Sequence, residues 1–186
     1  NITVPSLVMA WGDSGWTRVT TTVSGIFGPR NSVQFLALPR LADLPDVDGR
    51  YDTRQVDIDR FQSLTAETRV THTWWWKRRE QLLVSGVAVT SNRTRRQQLG
   101  TGTRGDDYDL DVSAGGFRRD VTYRTENGAF YVENLFRVNA NWDMTLGVRT
   151  ESGRTRMTGR LASFDPAATP RQIDHQHLLL SARTTY

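Results

Sequence analysis

The chain has 186 residues, a net charge of +4, a hydrophobic share of 37% and a mean hydropathy of −0.53, and no run of about 18 apolar residues that could cross a bilayer as a helix, which excludes a helical membrane protein. The absence of cysteine excludes a disulfide scaffold, a cysteine-ligated zinc cluster and a cysteine nucleophile. Positive charge is almost all arginine, Lys77 being the only lysine, and there is no basic helix or lysine-rich tail of the nucleic-acid-binding kind.

Alternation of apolar and polar residues predicts seven strands, near 3–11, 16–27, 60–75, 80–95, 120–138, 142–161 and 175–186. Pro5 lacks the N–H for a ladder bond, so the first strand starts late or bends there. In the second, Val19, Val23 and Phe27 share one face against Arg18, Thr20, Thr22 and Ser24. The third sets Leu64, Ala66, Val70 and Trp74 against Ser63, Thr65, Glu67, Arg69 and Thr71. In the fourth, Leu82, Leu83, Val84, Val87, Ala88 and Val89 run almost continuously, and the pattern assigns no faces. The sixth sets Trp142, Met144, Leu146 and Val148 against Thr145, Arg149 and Glu151, and the seventh sets Leu178, Leu180, Ala182 and Tyr186 against His177, Ser181 and Arg183.

The connections alternate strictly in length. Short turns at 12–15, 76–79 and 139–141 alternate with long segments at 28–57, 96–119 and 162–174 that carry Gly-Pro, Asp-Gly and Gly-Gly turn formers. Strands that cross a bilayer and return produce this asymmetry, with short turns on one rim and long loops on the other. All six tryptophans (Trp11, Trp16, Trp74, Trp75, Trp76 and Trp142) stand at or beside a short turn, as an interfacial aromatic belt requires. The expected fold is therefore all-β, an antiparallel up-and-down meander of about seven long strands forming part of a transmembrane β-barrel. A soluble antiparallel β-sandwich or carbohydrate-binding module, stacking sugars on its aromatics, is the alternative.

Residues 95–110, from Arg95 and Arg96 through Gly100, Gly102 and Gly105 to Asp109 and Leu110, resemble a loop of TonB-dependent outer-membrane receptors, particularly those for ferric citrate. Residues 125–136 resemble a barrel strand entering a periplasmic turn, 144–151 the strand leaving it, and 27–32 the start of an earlier extracellular loop. The matching order covers most of 27–186. The resemblance implies a plugged barrel of the 22-stranded type in the outer membrane, taking up a ferric chelate (citrate or a siderophore) without chemical conversion, so no enzyme activity and no cofactor. Implied partners are outer-membrane lipid and lipopolysaccharide, the chelate, and TonB through an N-terminal part. The chain starts at Asn1 without initiator Met or signal peptide and shows no plug-like segment, energy-coupling box or closing strand, so 1–186 is expected to be one middle segment of the barrel. Val70, Leu146, Val148 and Leu180 are expected to face lipid, and Glu67, Arg69, Arg149 and Arg183 the lumen.

Arginine supplies the candidate site. Arg93, Arg95, Arg96 and Arg104 cluster where the fourth strand runs into its loop, and Arg118, Arg119 and Arg124 begin the next strand opposite them. Guanidinium forks suit the carboxylates of an anionic ferric chelate or the phosphates of a lipopolysaccharide rim, while pairing with Asp106, Asp107, Asp109 and Asp120 is the competing reading. His175 and His177 share one face without an evident third ligand, and His72 falls beside the tryptophans. Asp106, Asp107, Asp109 and Asp111 lack the bidentate glutamate of a calcium loop. No metal site is expected.

Overall fold

The computed structural model describes residues 1–12, 15–104, 109–112, 115–165 and 171–186. Seven strands form one antiparallel sheet in chain order: β1 (Ser6–Gly12), β2 (Thr17–Phe35), β3 (Tyr51–Trp76), β4 (Arg79–Thr103), β5 (Arg119–Arg137), β6 (Asp143–Leu161) and β7 (Gln172–Thr185). Among the described residues no second sheet packs on either face, so the two-layer sandwich is ruled out: a sandwich needs two sheets burying a shared core. Buried apolar residues are few and scattered, chiefly Val56, Ile58 and Val121 toward the long-loop end and Ala129 in mid-sheet.

The register fixes which side chains share a face. Val70 lies in one cross-strand row with Trp11, Val19, Ser85, Val132, Val148 and Leu180. The neighbouring row on the opposite face holds Ala10, Thr20, Arg69, Gly86, Tyr131, Arg149 and Leu179. In β6 exposed and half-covered residues alternate without a break from Thr145 to Thr158, the even-numbered ones being exposed. Side chains crowd one another on the concave side of a curved sheet, so the row of Arg149 is inner and the row of Val148 outer. Large apolar residues stand out on the outer face at Leu7, Met9, Leu64, Val87, Val89, Phe130, Leu146, Val148, Leu178 and Leu180. The eight residues expected to divide between lipid and lumen divide in that way between the outer and inner faces.

The strands run well past the expected ends. β3 has 26 residues, about 85 Å at a rise of about 3.3 Å each, more than twice what a tilted strand needs to cross a bilayer. β2 continues through Pro29 to Phe35 and β4 through Arg96 to Thr103. Pro29 does not end β2 because Gly25 and Phe27 donate to the Pro5 and Thr3 carbonyls of the first segment, so the nitrogen two residues on points the same way, past the last bridge to that segment. Long connections are accordingly shorter than expected, 36–50, 104–118 and 162–171. β1 starts immediately after Pro5, as its missing donor requires.

The β3–β4 turn is two residues, Lys77 and Arg78, at φ 51° and 62°, the doubly left-handed geometry that matches strand twist. Next to it, the fully buried Gln81 accepts the Arg137 N–H through Oε1 at 2.8 Å and donates from Nε2 to the Arg79 carbonyl at 3.2 Å. Gln81→Ala orphans the Arg137 donor and is expected to cost about 1–3 kcal/mol, read from the thermal midpoint of the folded protein.

Candidate functional site

At the long-loop end of the inner face a carboxylate hub forms around Asp59, 4% exposed. Arg30 meets it at 2.5 Å, Arg96 donates from Nε and Nη2 at 3.2 and 3.3 Å, and Gln98 donates from Nε2 at 3.3 Å. The Gln98 carbonyl in turn accepts from Arg119 at 2.8 Å. A register shift between Val56 and Ile58 places Leu99 at φ 58°, where its N–H donates to Asp57 at 2.8 Å. The bulge re-aims Gln98 between the two arginines. Arg30 and Arg96 thus share the single carboxylate of Asp59, and Arg119 joins the hub only through Gln98. The hydrogen bond to Asp59 raises the Arg96 pKa further above its ordinary value.

The arginines expected to bind ligand, Arg93, Arg95, Arg96, Arg104, Arg118 and Arg119, are not all on one face. Arg96 and Arg119 turn inward, joined through Gln98 and Asp59. Arg93 and Arg95 lie on the outer face by register, since Arg93 pairs with Arg124 and Gln62. Arg95 grips Asp120 at 3.1 and 2.8 Å, and that bond holds the Asp120 carboxyl below the usual carboxylate range. Its stabilisation is present above the ordinary value of 3.8 and is lost as the pH falls through the lowered one. Both partners are over a third exposed, at 43% and 35%, which limits the pair to about 1 kcal/mol or less. Arg104 donates its backbone N–H to Asp109 at 3.0 Å, and the Arg118 N–H lies 3.5 Å from the Leu99 carbonyl. Asp106, Asp107 and Gly105 lie outside the described residues.

Lower on the inner face a second polar network crosses three strands. Tyr131 donates to Glu67 at 2.7 Å, Arg69 donates from Nε to the Tyr131 hydroxyl at 3.1 Å and pairs with Glu67 at 2.9 Å, and the Arg149 guanidinium lies over the Tyr131 ring at 5.8 Å while pairing with Glu151 at 2.6 Å. Gly86 makes the crossing possible. A Cβ there would lie 2.5 Å from the Tyr131 hydroxyl, so the ring lies over bare backbone. Neither Tyr131 nor Asp59 stands out in the sequence. Their signals are a glycine inside a strand and the Asp57–Ile58–Asp59 alternation, which puts two carboxylates on one face.

His175 stacks on His177 with ring centroids 5.5 Å apart and lies 3.2 Å from Asn127 Oδ1; among the described residues no three metal-ligating side chains gather. The tryptophans divide. Trp11, Trp74 and Trp142 fall on outer rows, Trp74 donating to Asn134 at 3.0 Å, whereas Trp16 and Trp75 meet edge to face at 6.2 Å on the inner side.

No protein-family model and no curated protein sequence matches the chain. Among solved structures, the unliganded ferric citrate transporter FecA superposes with a TM-score of 0.74 at 13% identity, over 98% of this chain. The fold is that of a barrel segment of TonB-dependent receptors. Two further structures align with this segment at a TM-score of 0.55: the ferric-catecholate import receptor Fiu from E. coli K12, at 14% identity over 98% of the chain, and FpvAI in its complex with pyocin S2, at 16% over 96%. The chain spans 24%, 31% and 23% of the lengths of these three proteins. A sheet with this fold is a stretch of barrel wall, which accounts for distinct inner and outer faces and very little buried core.

Proposed function

We propose that the chain is part of the wall of an outer-membrane TonB-dependent receptor that imports a ferric chelate, with the outer apolar face toward lipid and the long connections outside the cell. The observation that carries this reading is the coincidence of the FecA-like sheet over 98% of the chain with an outer face studded with exposed apolar side chains and an inner face of charged networks. The barrel is completed by, and coupled to TonB through, parts of the protein other than this segment, and no step of chemical conversion is assigned to it.

Of the arginines proposed for the ligand, the inward Arg96 and Arg119 are the ones a lumen chelate reaches, with Arg104 and Arg118 beside them at the loop. Citrate is one such anion, and a siderophore complex with net negative charge is another. The Asp59 hub holds Arg96 in place, leaving it 38% exposed at the side chain. Arg96→Gln with Arg119→Gln is expected to weaken binding of ferric citrate about tenfold or more in the full-length protein, from the loss of charge-assisted bonds worth about 1.5–3 kcal/mol each. The loss should be larger at low salt, where exposed charges are least screened. Unchanged ferric-citrate binding, or an equal loss for an uncharged chelate, would remove these two side chains from the ligand site.

A further inference from the structure

We infer that His175 and His177 form a pH-sensitive switch on the inner face, a stacked pair at neutral pH that opens on acidification as His177 turns from its partner ring to Glu151. The register puts both side chains on the inner face, His175 opposite Gly153 and His177 opposite Glu151. Their rings are nearly parallel, inclined by 26° with centroids 5.5 Å apart. One of the two is built into the sheet. A Cβ at Gly153 would lie 2.5 Å from His175 Nε2 and 2.6 Å from Asn127 Oδ1, so the His175 ring lies over bare backbone and reaches Asn127 at 3.2 Å. His175 is half-buried there, whereas His177 is exposed.

Imidazole is the side chain that changes charge between pH 5 and 8. Two neutral rings stack, but two imidazolium ions 5.5 Å apart repel, by the equivalent of about half a pH unit even at the dielectric constant of bulk water. The anchored ring and the exposed one then respond differently. With Asn127 Oδ1 as acceptor, His175 Nε2 carries a proton in both charge states, so its bond survives acidification. His177 has no hydrogen bond or ion pair among the described residues, so the stack alone places it.

A carboxylate oxygen lies open opposite His177. Arg149 meets Glu151 through Nε and Nη2 on the same oxygen, Oε1, at 2.6 Å, which leaves Oε2 without a partner among the described residues. Directly opposed residues have Cβ atoms about 4.5–5.5 Å apart, so an imidazolium N–H reaches that oxygen by a side-chain rotation. Glu151 and Arg149 of β6 are the charged groups that face the pair. On β5 the same rows hold the neutral Asn127 and Ala129, while Arg154 and Asp174 lie on the outer face, bonded to each other.

The switch changes the charge of the inner wall. Glu67 with Arg69 and Glu151 with Arg149 make two ion pairs of zero net charge, so protons taken up from solvent by the two rings turn this level of the inner face net positive.

The test uses the full-length protein containing this chain in detergent micelles, with histidine labelled with carbon-13 at Cε1 and the ring signals assigned through His175→Gln and His177→Gln. Expected is a ring-to-ring nuclear Overhauser contact between His175 and His177 at pH 7.5 that is lost at pH 5.0. Glu151→Gln, which removes the acceptor charge, should lower the pH midpoint of the His177 signal by about half a unit or more at low ionic strength. A contact that persists at pH 5.0 with both rings protonated would overturn the switch, and so would absence of the contact at pH 7.5. An unmoved His177 midpoint in Glu151→Gln would also overturn it, since His177 would then have no carboxylate to turn to. The contact is measured in the unsubstituted protein, so that part of the test stands even if Glu151→Gln fails to fold.

Discussion

Val87→Arg is expected to cost about 2–4 kcal/mol in refolding into bilayers, and Ala88→Arg, one residue along β4, about 1 kcal/mol or less. Val87 is 51% exposed on the outer face, between Thr68 and Phe130, which in the proposed orientation faces lipid, where a guanidinium loses its hydration. Ala88 is on the inner face directly opposite Glu67 and Ala129, where water and a carboxylate receive the same group. The pair isolates orientation, since both positions are apolar and both gain the same side chain. Equal costs would contradict the assigned faces. A larger cost at Ala88 would invert them.

The second large effect is expected at Gly86. A Cβ at this position meets the Tyr131 hydroxyl at 2.5 Å, its Cζ at 2.6 Å and the Thr68 carbonyl at 2.8 Å. Gly86→Ala therefore lifts the ring from the sheet and loses both the Tyr131–Glu67 and Arg69–Tyr131 bonds, a combined penalty of about 2–4 kcal/mol from overpacking and the broken network. Tyr131→Phe removes only the hydroxyl and should cost about 0.5–1.5 kcal/mol. In the double variant Gly86→Ala, Tyr131→Ala the clash with the ring is gone, so the two substitutions should be less than additive by about 1 kcal/mol or more. Strict additivity in denaturant midpoints would mean the ring does not lie over Gly86.

Much of the wall was readable because a strand with one apolar and one polar face has a period of two, which survives in β2, β3, β6 and β7. β4 was unreadable for a structural reason. Its inner side is lined by Leu82, Val84, Gly86 and Ala88, small or apolar residues beside Tyr131, so both faces look apolar in the sequence. The extensions of β2 and β4 were also hidden, because Gly28 to Asn31 and Arg96 to Gln98 interrupt the alternation while the hydrogen-bonded ladder continues.

The site suffered from the same blindness to register. Arg93, Arg95 and Arg96 are neighbours in sequence, yet consecutive residues in a strand point to opposite faces, so Arg96 joins Asp59 inside while Arg93 and Arg95 lie outside. Asp59 itself fell near the start of a strand whose first nine residues looked like loop. The tryptophans mislead in a related way: position beside a short turn gives the level along the strand, and only register shows that Trp16 and Trp75 turn inward.

The most direct test of the proposed membrane orientation is a spin-label scan of β3 from Ser63 to Thr71 in the full-length protein in lipid bilayers, in a chain segment that offers no native cysteine to interfere. Collision with molecular oxygen, which concentrates in hydrocarbon, is expected to be high at Leu64, Ala66, Thr68 and Val70 and low at Ser63, Thr65, Glu67, Arg69 and Thr71. A profile without this two-residue period, or one with its phase reversed, would contradict a wall whose Val70 face lies in the bilayer.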